Sequence, residues 1–309
     1  MPLLLFVFFV NAACDSNVGP LPPVAAEREP AIRPVAGIPD LPAELAAALS
    51  AGNPVVLGDT RLPRLADLSE SERRGWATIF PDSFDACVAA FLFLQVGTPY
   101  ALGPMGEEAP PDTDPVISYK SVDCVTLNLT SWAAAMSYGA DNERAAMIRA
   151  HYRHGVVSFE NRFHFSSDRL DHSPMNREIT ARVGGAMVKS QRMILNRKPD
   201  GARWIPIEWE RERVMRWIPW SAASRIPYWR RDGRIPELTG IVFVKSSLFE
   251  KGLDALHEGN IWQGNTIIHA SSRYGRVVAQ RWEDFIREAG NRYDGFLLFE
   301  YRRDDAPIR

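Results

Sequence analysis

Apolar residues recur at several distinct periods along this chain, and each period predicts a different kind of segment. Leu3 to Val10 form an unbroken apolar run, too short to cross a bilayer but of the length of a secretory signal's apolar core. Residues 43–97 carry helical spacing; in the clearest part, Asp82-Ser83 precede Phe84, Val88, Phe91 and Leu92, and Gly97 closes the run. A Gly- and Pro-rich loop follows from Thr98 to Ser121. The best-defined helix is expected to begin at Asp123-Cys124 and end at Gly139, with Val125, Leu129, Trp132 and Met136 on one apolar stripe. Asn142 to His154 predicts a further helix. From Ile241 the period shortens. Ile241–Val244, Thr266–His269, Arg276–Ala279 and Gly295–Phe299 read as strands, with a helix at Trp282–Ala289 between the last two. Helices first and strands later imply an α+β fold with helices packed on an antiparallel sheet.

The ends of the chain read differently from its middle. Ala12-Ala13 before Cys14 resemble the lipobox of bacterial lipoproteins, in which the cysteine is acylated; a plainly cleaved signal is the other reading. Residues 1–13 are therefore expected to be a signal peptide and the protein to be exported, on the periplasmic side of a bacterial membrane. Pro20, Pro22, Pro23, Pro30, Pro34, Pro39 and Pro42, with no aromatic residue among 15–42, make 14–42 an extended tether from a lipid anchor. Residues 43–301 then form one domain with a helical N-terminal part, and 302–309 a solvated tail.

Composition narrows the function. With 36 Lys+Arg against 38 Asp+Glu, the net charge of −2 argues against nucleic acid as a partner. Three cysteines are too few for a disulfide scaffold or a four-cysteine zinc site, so their positions matter more than their number. Cys87 lies in an apolar helix and reads as core. Cys124 sits in the first turn of its helix, where unpaired amides and the helix dipole favour a thiolate. Thiols so placed titrate between about 3.5 and 7.5. A helix-start thiolate with histidines far downstream in strands suits papain-like acyl transfer, and a buried structural cysteine is the alternative. His257 and His269 supply candidate partners. A hairpin centred on Gln263 would make them cross-strand neighbours able to share a hydrogen bond, whereas a two-residue turn at Gly264-Asn265 would break that pairing.

Longer motifs surround these residues. Thr98-Pro99-Tyr100, Gly103-Pro104-Met105-Gly106-Glu107, Val122-Asp123-Cys124-Val125-Thr126, Arg162-Phe163-His164-Phe165 and Ile268-His269-Ala270-Ser271-Ser272 occur in an order that resembles the NlpC-type cell-wall cysteine peptidases, and within them the N-acetylmuramoyl-L-alanine amidase-like branch. The resemblance covers most of residues 83–301. It implies a papain-like fold with the nucleophile helix on an antiparallel sheet, Cys124 as nucleophile, His257 as base and His269 as the orienting third member. It further implies Tyr100 beside the oxyanion, Asp123 as a substrate contact, no metal or other cofactor, and peptidoglycan or muropeptides as substrate. Two stretches depart from the family pattern. Glu258 and Asn260 stand where small apolar residues usually follow the base histidine, and Arg169-Leu170 stands where a tryptophan is usual.

Other constellations have two readings each. Arg162 and His164 offer either a clamp for a muropeptide carboxylate or glycan, or polar positions in a strand whose Phe163 and Phe165 are core. Trp204, Trp209, Trp217, Trp220 and Trp229 offer either sugar-stacking faces or core, and core is favoured. His151 and His154 lack a third ligand and read as a helix end. The N-terminal reading is directly testable: cells fed labelled palmitate should label the full chain, and Cys14→Ser should abolish that label without affecting synthesis.

Overall fold

The strand-forming residues of the C-terminal half assemble into one eight-stranded antiparallel sheet in a computed structural model that describes residues 65–79, 83–105, 116–137 and 142–304. Cys14, the expected signal and tether, and part of the helical N-terminal segment lie outside the described residues. The strands are β1 (Asn176–Glu178), β2 (Lys189–Leu195), β3 (Arg211–Pro219), β4 (Leu238–Val244), β5 (His257–Trp262), β6 (Thr266–Ser271), β7 (Arg276–Arg281) and β8 (Gly295–Tyr301). Their order is β2-β3-β8-β4-β5-β6-β7, and β1 also pairs with β8. An extended segment continues the sheet past β7: Pro99 bridges Arg276, Tyr100 donates its amide to the Gly275 carbonyl, and Tyr100 in turn bridges Val122.

The helices are α1 (Glu70–Ile79), α2 (Phe84–Leu94), α3 (Cys124–Met136), α4 (Glu143–His151), α5 (Ser166–His172), α6 (Thr180–Gly184), α7 (Ile226–Arg231) and α8 (Trp282–Ala289). They cover both faces of the sheet. Val242, Trp262, Ile268, Val277 and Leu297 face a core shared with α2 and α3. Ile241, Phe243, Ile261, Ile267 and Phe296 face the other way, toward a second core with residues of α6, α7 and α8. Strand alternation thus builds two apolar layers from one sheet. Trp217 and Trp229 are buried, and Trp204, Trp209 and Trp220 pack against the cores, so the tryptophan-rich segment is structural.

Three details differ from the sequence reading. Strands β2 and β3 were not expected, because one face of β3 carries Arg211, Arg213 and Met215 and the other Glu212, Val214 and Arg216, which masks the apolar period. Helix α3 is not amphipathic: apart from the partly buried Val125, every residue from Cys124 to Met136 is buried, polar ones included. It is enclosed because it packs against α1, α2, α4, β5 and β6 together. Finally, the start of the expected tail is docked, with the Trp132 indole donating to the Arg302 carbonyl (2.7 Å) and Arg149 pairing with Asp304 (2.8 Å).

The buried polar residues of α3 are satisfied within the protein. Gln95 donates its amide to Thr130 and Ser131 from α2. On the sheet side, Asn128 donates to Glu258 (2.8 Å) and accepts from Asn260 (2.6 Å), whose own oxygen accepts from the Tyr301 hydroxyl (2.6 Å). Arg169 of α5 closes the network by donating to both oxygens of Glu258, at 2.6 Å to Oε1, and its guanidinium lies over the Phe299 ring. Asp254 caps α5 by accepting from the Ser167 amide (2.6 Å), which fixes the helix that delivers Arg169. Arg169 and Glu258 are 0% and 1% exposed, so neither charge has water to fall back on. Removing one partner of such a pair costs about 3–5 kcal/mol, because the other is left charged and buried. Glu258→Ala should therefore lower the unfolding free energy by that amount, read as a lower urea midpoint at an unchanged m-value, and pairing it with Arg169→Met should restore part of the loss.

Candidate active site

Asp123 starts α3, and the geometry there is local. Its Oδ1 accepts from the Val125 amide (3.0 Å), the Thr126 amide (2.7 Å) and the Thr126 hydroxyl (2.8 Å), while Thr126 Oγ1 accepts from the Asp123 amide (2.8 Å). This reciprocal capping box satisfies orphan donors of the first turn and fixes where the helix begins. Cys124 is consequently the first helical residue, 9% exposed, and a thiol. Burial raises the Asp123 carboxyl pKa, and the cap hydrogen bonds oppose that rise. Cys87 differs in kind: it is 4% exposed within α2, and burial pushes its thiol up to about 12, which leaves it unreactive at neutral pH.

Strand pairing brings the start of α3 to a particular end of the sheet. Val122 lies beside Tyr100, Tyr100 beside Gly275, and Arg276 pairs with Ser271 at the end of β6. His269 is two residues from Ser271, and His257 opens the antiparallel β5, so both histidines occupy this same end. One helical turn beyond Cys124, Asn128 grips Glu258 and Asn260, so the helix is tied to the strand that His257 opens.

The two histidines are joined directly, at 2.8 Å between His257 Nε2 and His269 Nδ1, with nearly perpendicular rings. Their register is not the one expected from the sequence. Asn260 pairs with Ile268, Ile261 with Ile267 and Trp262 with Thr266, which centres the loop on Gly264 instead of Gln263. Gln263 and Gly264 both adopt left-handed backbone (φ 51° and 75°), an unusual conformation for glutamine that sequence pattern does not announce. His257 is therefore not the cross-strand partner of His269. That place is taken by Gly259, where an added Cβ would stand 3.3 Å from the His269 Cβ. With no side chain at Gly259, the two rings meet diagonally on one face.

This face also explains Glu258 and Asn260. They point to the opposite side of β5, into the Arg169 network, and leave the histidine side clear. Beneath the histidines lie Phe243, stacked on His257 (5.8 Å between centroids), and Phe285, edge-on to His269 (5.2 Å). Burial in this aromatic setting pulls His269 down to about 4 and His257 well below the ordinary imidazole range, with the Arg292 charge adding to both. Both rings are thus neutral at pH 7, which is the form that accepts a proton.

The remaining candidates make further contacts around the site's loops. Arg162 is 2% exposed and donates to the Met105 carbonyl and the Tyr152 hydroxyl, both at 2.7 Å, and burial pulls it down to about 9. It thereby holds the loop that follows Tyr100, whose ring packs against the main core. His164 donates Nε2–H to the Phe159 carbonyl (2.6 Å), and burial lowers it to about 4. The sequence reading missed Asn128, Arg169 and Tyr301. The available signal was Glu258 and Asn260 alternating within an otherwise apolar strand, which requires buried polar partners somewhere in the chain.

The site can be set against known proteins. No curated protein matches the sequence. A crystal structure of a protein from Legionella pneumophila superposes with a TM-score of 0.58 at 18% identity, covering 81% of this chain and 97% of that one. A crystal structure of an N-acetylmuramoyl-L-alanine amidase from Bacteroides uniformis superposes with a TM-score of 0.54 at 16% identity, covering 71% of this chain and 99% of that one. These likenesses establish a shared fold. The model of the AmiA-like, N-acetylmuramoyl-L-alanine amidase-like family matches residues 90–291. Because that match runs from within α2 to just past α8 and takes in the whole contact between α3 and the sheet, the chain belongs to the N-acetylmuramoyl-L-alanine amidase-like family.

Proposed function

We propose that this protein is a cysteine-dependent N-acetylmuramoyl-L-alanine amidase of papain-like, NlpC-type architecture, acting on peptidoglycan or its fragments. The observation that carries the reading is the 2.8 Å His257–His269 bond at the end of the sheet where the Asp123-capped helix begins. Family membership supports the hydrolase class and the cell-wall substrate. In this reading Cys124 is the nucleophile, His257 the base, and His269 the residue that fixes the base's orientation. A lipid on Cys14 would hold the enzyme at the periplasmic face of its membrane.

The reaction follows from these roles. Neutral His257 takes the proton of the Cys124 thiol, the resulting thiolate attacks the lactyl amide carbonyl, and a C–S bond forms as the carbonyl electrons move to oxygen. The backbone amide of Cys124 and Tyr100 stabilise that oxyanion. As the carbonyl re-forms, the C–N bond breaks and protonated His257 gives its proton to the departing amine, releasing a peptide that begins with L-Ala. Neutral His257 then takes a proton from water, whose hydroxide attacks the thioester. The muramic carboxylate leaves, and His257 returns its proton to the Cys124 thiolate.

Defined muropeptides incubated with purified protein and analysed by mass should yield free peptide beginning with L-Ala. A shortened stem still attached to sugar would instead assign the enzyme to stem-peptide cleavage. Cys124→Ala and His257→Ala should each reduce kcat by about a thousandfold or more at preserved stability. Iodoacetamide should modify Cys124 below pH 8 and leave Cys87 untouched. The pH profile has a definite sign. Lowered histidine pKa values mean the proton-accepting form persists as pH falls through 6.5 and is lost only nearer 4, so the acid limb of kcat/KM should lie below the ordinary imidazole value of about 6.5.

A further inference from the structure

His257 has two ring nitrogens with separate tasks. Nε2 is committed to His269, so the base function proposed above falls to Nδ1, which must be unprotonated. The proton of neutral His257 then resides on Nε2 and is donated to His269 Nδ1. His269 must in turn carry its own proton on Nε2, and that N–H requires an acceptor. Among the described residues, His269 Nε2 is buried without a hydrogen-bond partner, and so is the amide nitrogen of Gln280. Gln280 stands on β7 opposite Ile267, while His269 pairs with Val278, which puts Gln280 one diagonal step from His269 on the same face. Two orphaned buried nitrogens on neighbouring side chains are costly, and half a turn of a carboxamide exchanges its nitrogen for its oxygen.

We propose that Gln280 is a positioning residue whose side-chain carbonyl accepts the Nε2–H of His269, and so sets the tautomers of both histidines. The line then runs from Gln280 Oε1 to His269 Nε2–H, and from His269 Nδ1 to His257 Nε2–H, leaving His257 Nδ1 bare. The proposal rests on the reading of His257 as base for its catalytic meaning, but its structural content stands alone. The side chain of Gln280 raises the His269 pKa against the effect of burial, as an oxygen accepting from the ring does. The charge acting on both rings is that of Arg292, from the turn after α8, and it cannot supply an acceptor.

Histidine tautomers are read directly from multiple-bond ¹⁵N correlation spectra of the labelled wild-type protein at pH 7. The expected result is His269 and His257 both protonated at Nε2 and bare at Nδ1. A wild-type His269 protonated at Nδ1 would overturn the proposal, and this measurement needs neither a variant nor activity. Gln280→Leu should release His269 into a mixture of tautomers and lower kcat about tenfold with little change in KM. Gln280→Glu should keep the Nε2–H and move the acid limb of kcat/KM up by about one unit, since a carboxylate favours the imidazolium. An unchanged His269 tautomer in Gln280→Leu would also refute the assignment. If the wild-type protein cleaves no muropeptide while the tautomers are as expected, the amidase reading fails and the role of Gln280 survives.

Discussion

Everything at the site depends on how α3 is held against the sheet, and a buried polar network does the holding. An apolar interface alone would let a helix slide or rotate at small cost, since such contacts are not directional. Hydrogen bonds that Asn128 donates to Glu258 and accepts from Asn260, with Arg169 and Tyr301 completing them, admit one axial position and one rotation. The constraint acts one turn from Cys124 and one residue from His257. The start of α3 and the histidine pair are thus referred to the same fixed point, although they come from distant parts of the chain.

The histidine environment adds a second layer of control. Phe243 and Phe285 remove water from the rings and keep them neutral, while the 2.8 Å bond between them restricts their orientation. Asp123 contributes at the other side by committing Oδ1 to the cap instead of leaving it mobile. Arg162 and His164 serve neighbouring loops in the same manner, spending their donors on backbone carbonyls and on Tyr152. Rigid geometry of this kind suits an amidase-like protein, since catalysis in general falls steeply when reacting groups are misplaced.

Much of this was legible in the sequence where the determining contacts are local. The start of α3 follows from a capping box spanning four residues, and the strands β4, β6, β7 and β8 follow from short apolar runs. What was not legible has a physical reason in each case. Hairpin register turned on Gln263 accepting a left-handed backbone, which is set by the surrounding fold. Strands β2 and β3 were hidden because charged residues stand on both faces of β3, Arg211 and Arg213 on one and Glu212 and Arg216 on the other. The Arg169–Glu258 pair joins residues 89 apart, and each looked like an isolated departure from the family pattern.

Those two departures are in fact one. Arginine at 169 and glutamate at 258 neutralise each other in the core. A variant of this chain carrying one without the other would hold a solitary ion in its core, at a cost comparable with a good part of a domain's whole stability. Neither half can readily be replaced alone. The pair therefore acts as one unit, so a segment grafted into this protein would have to supply a partner for whichever half it leaves behind.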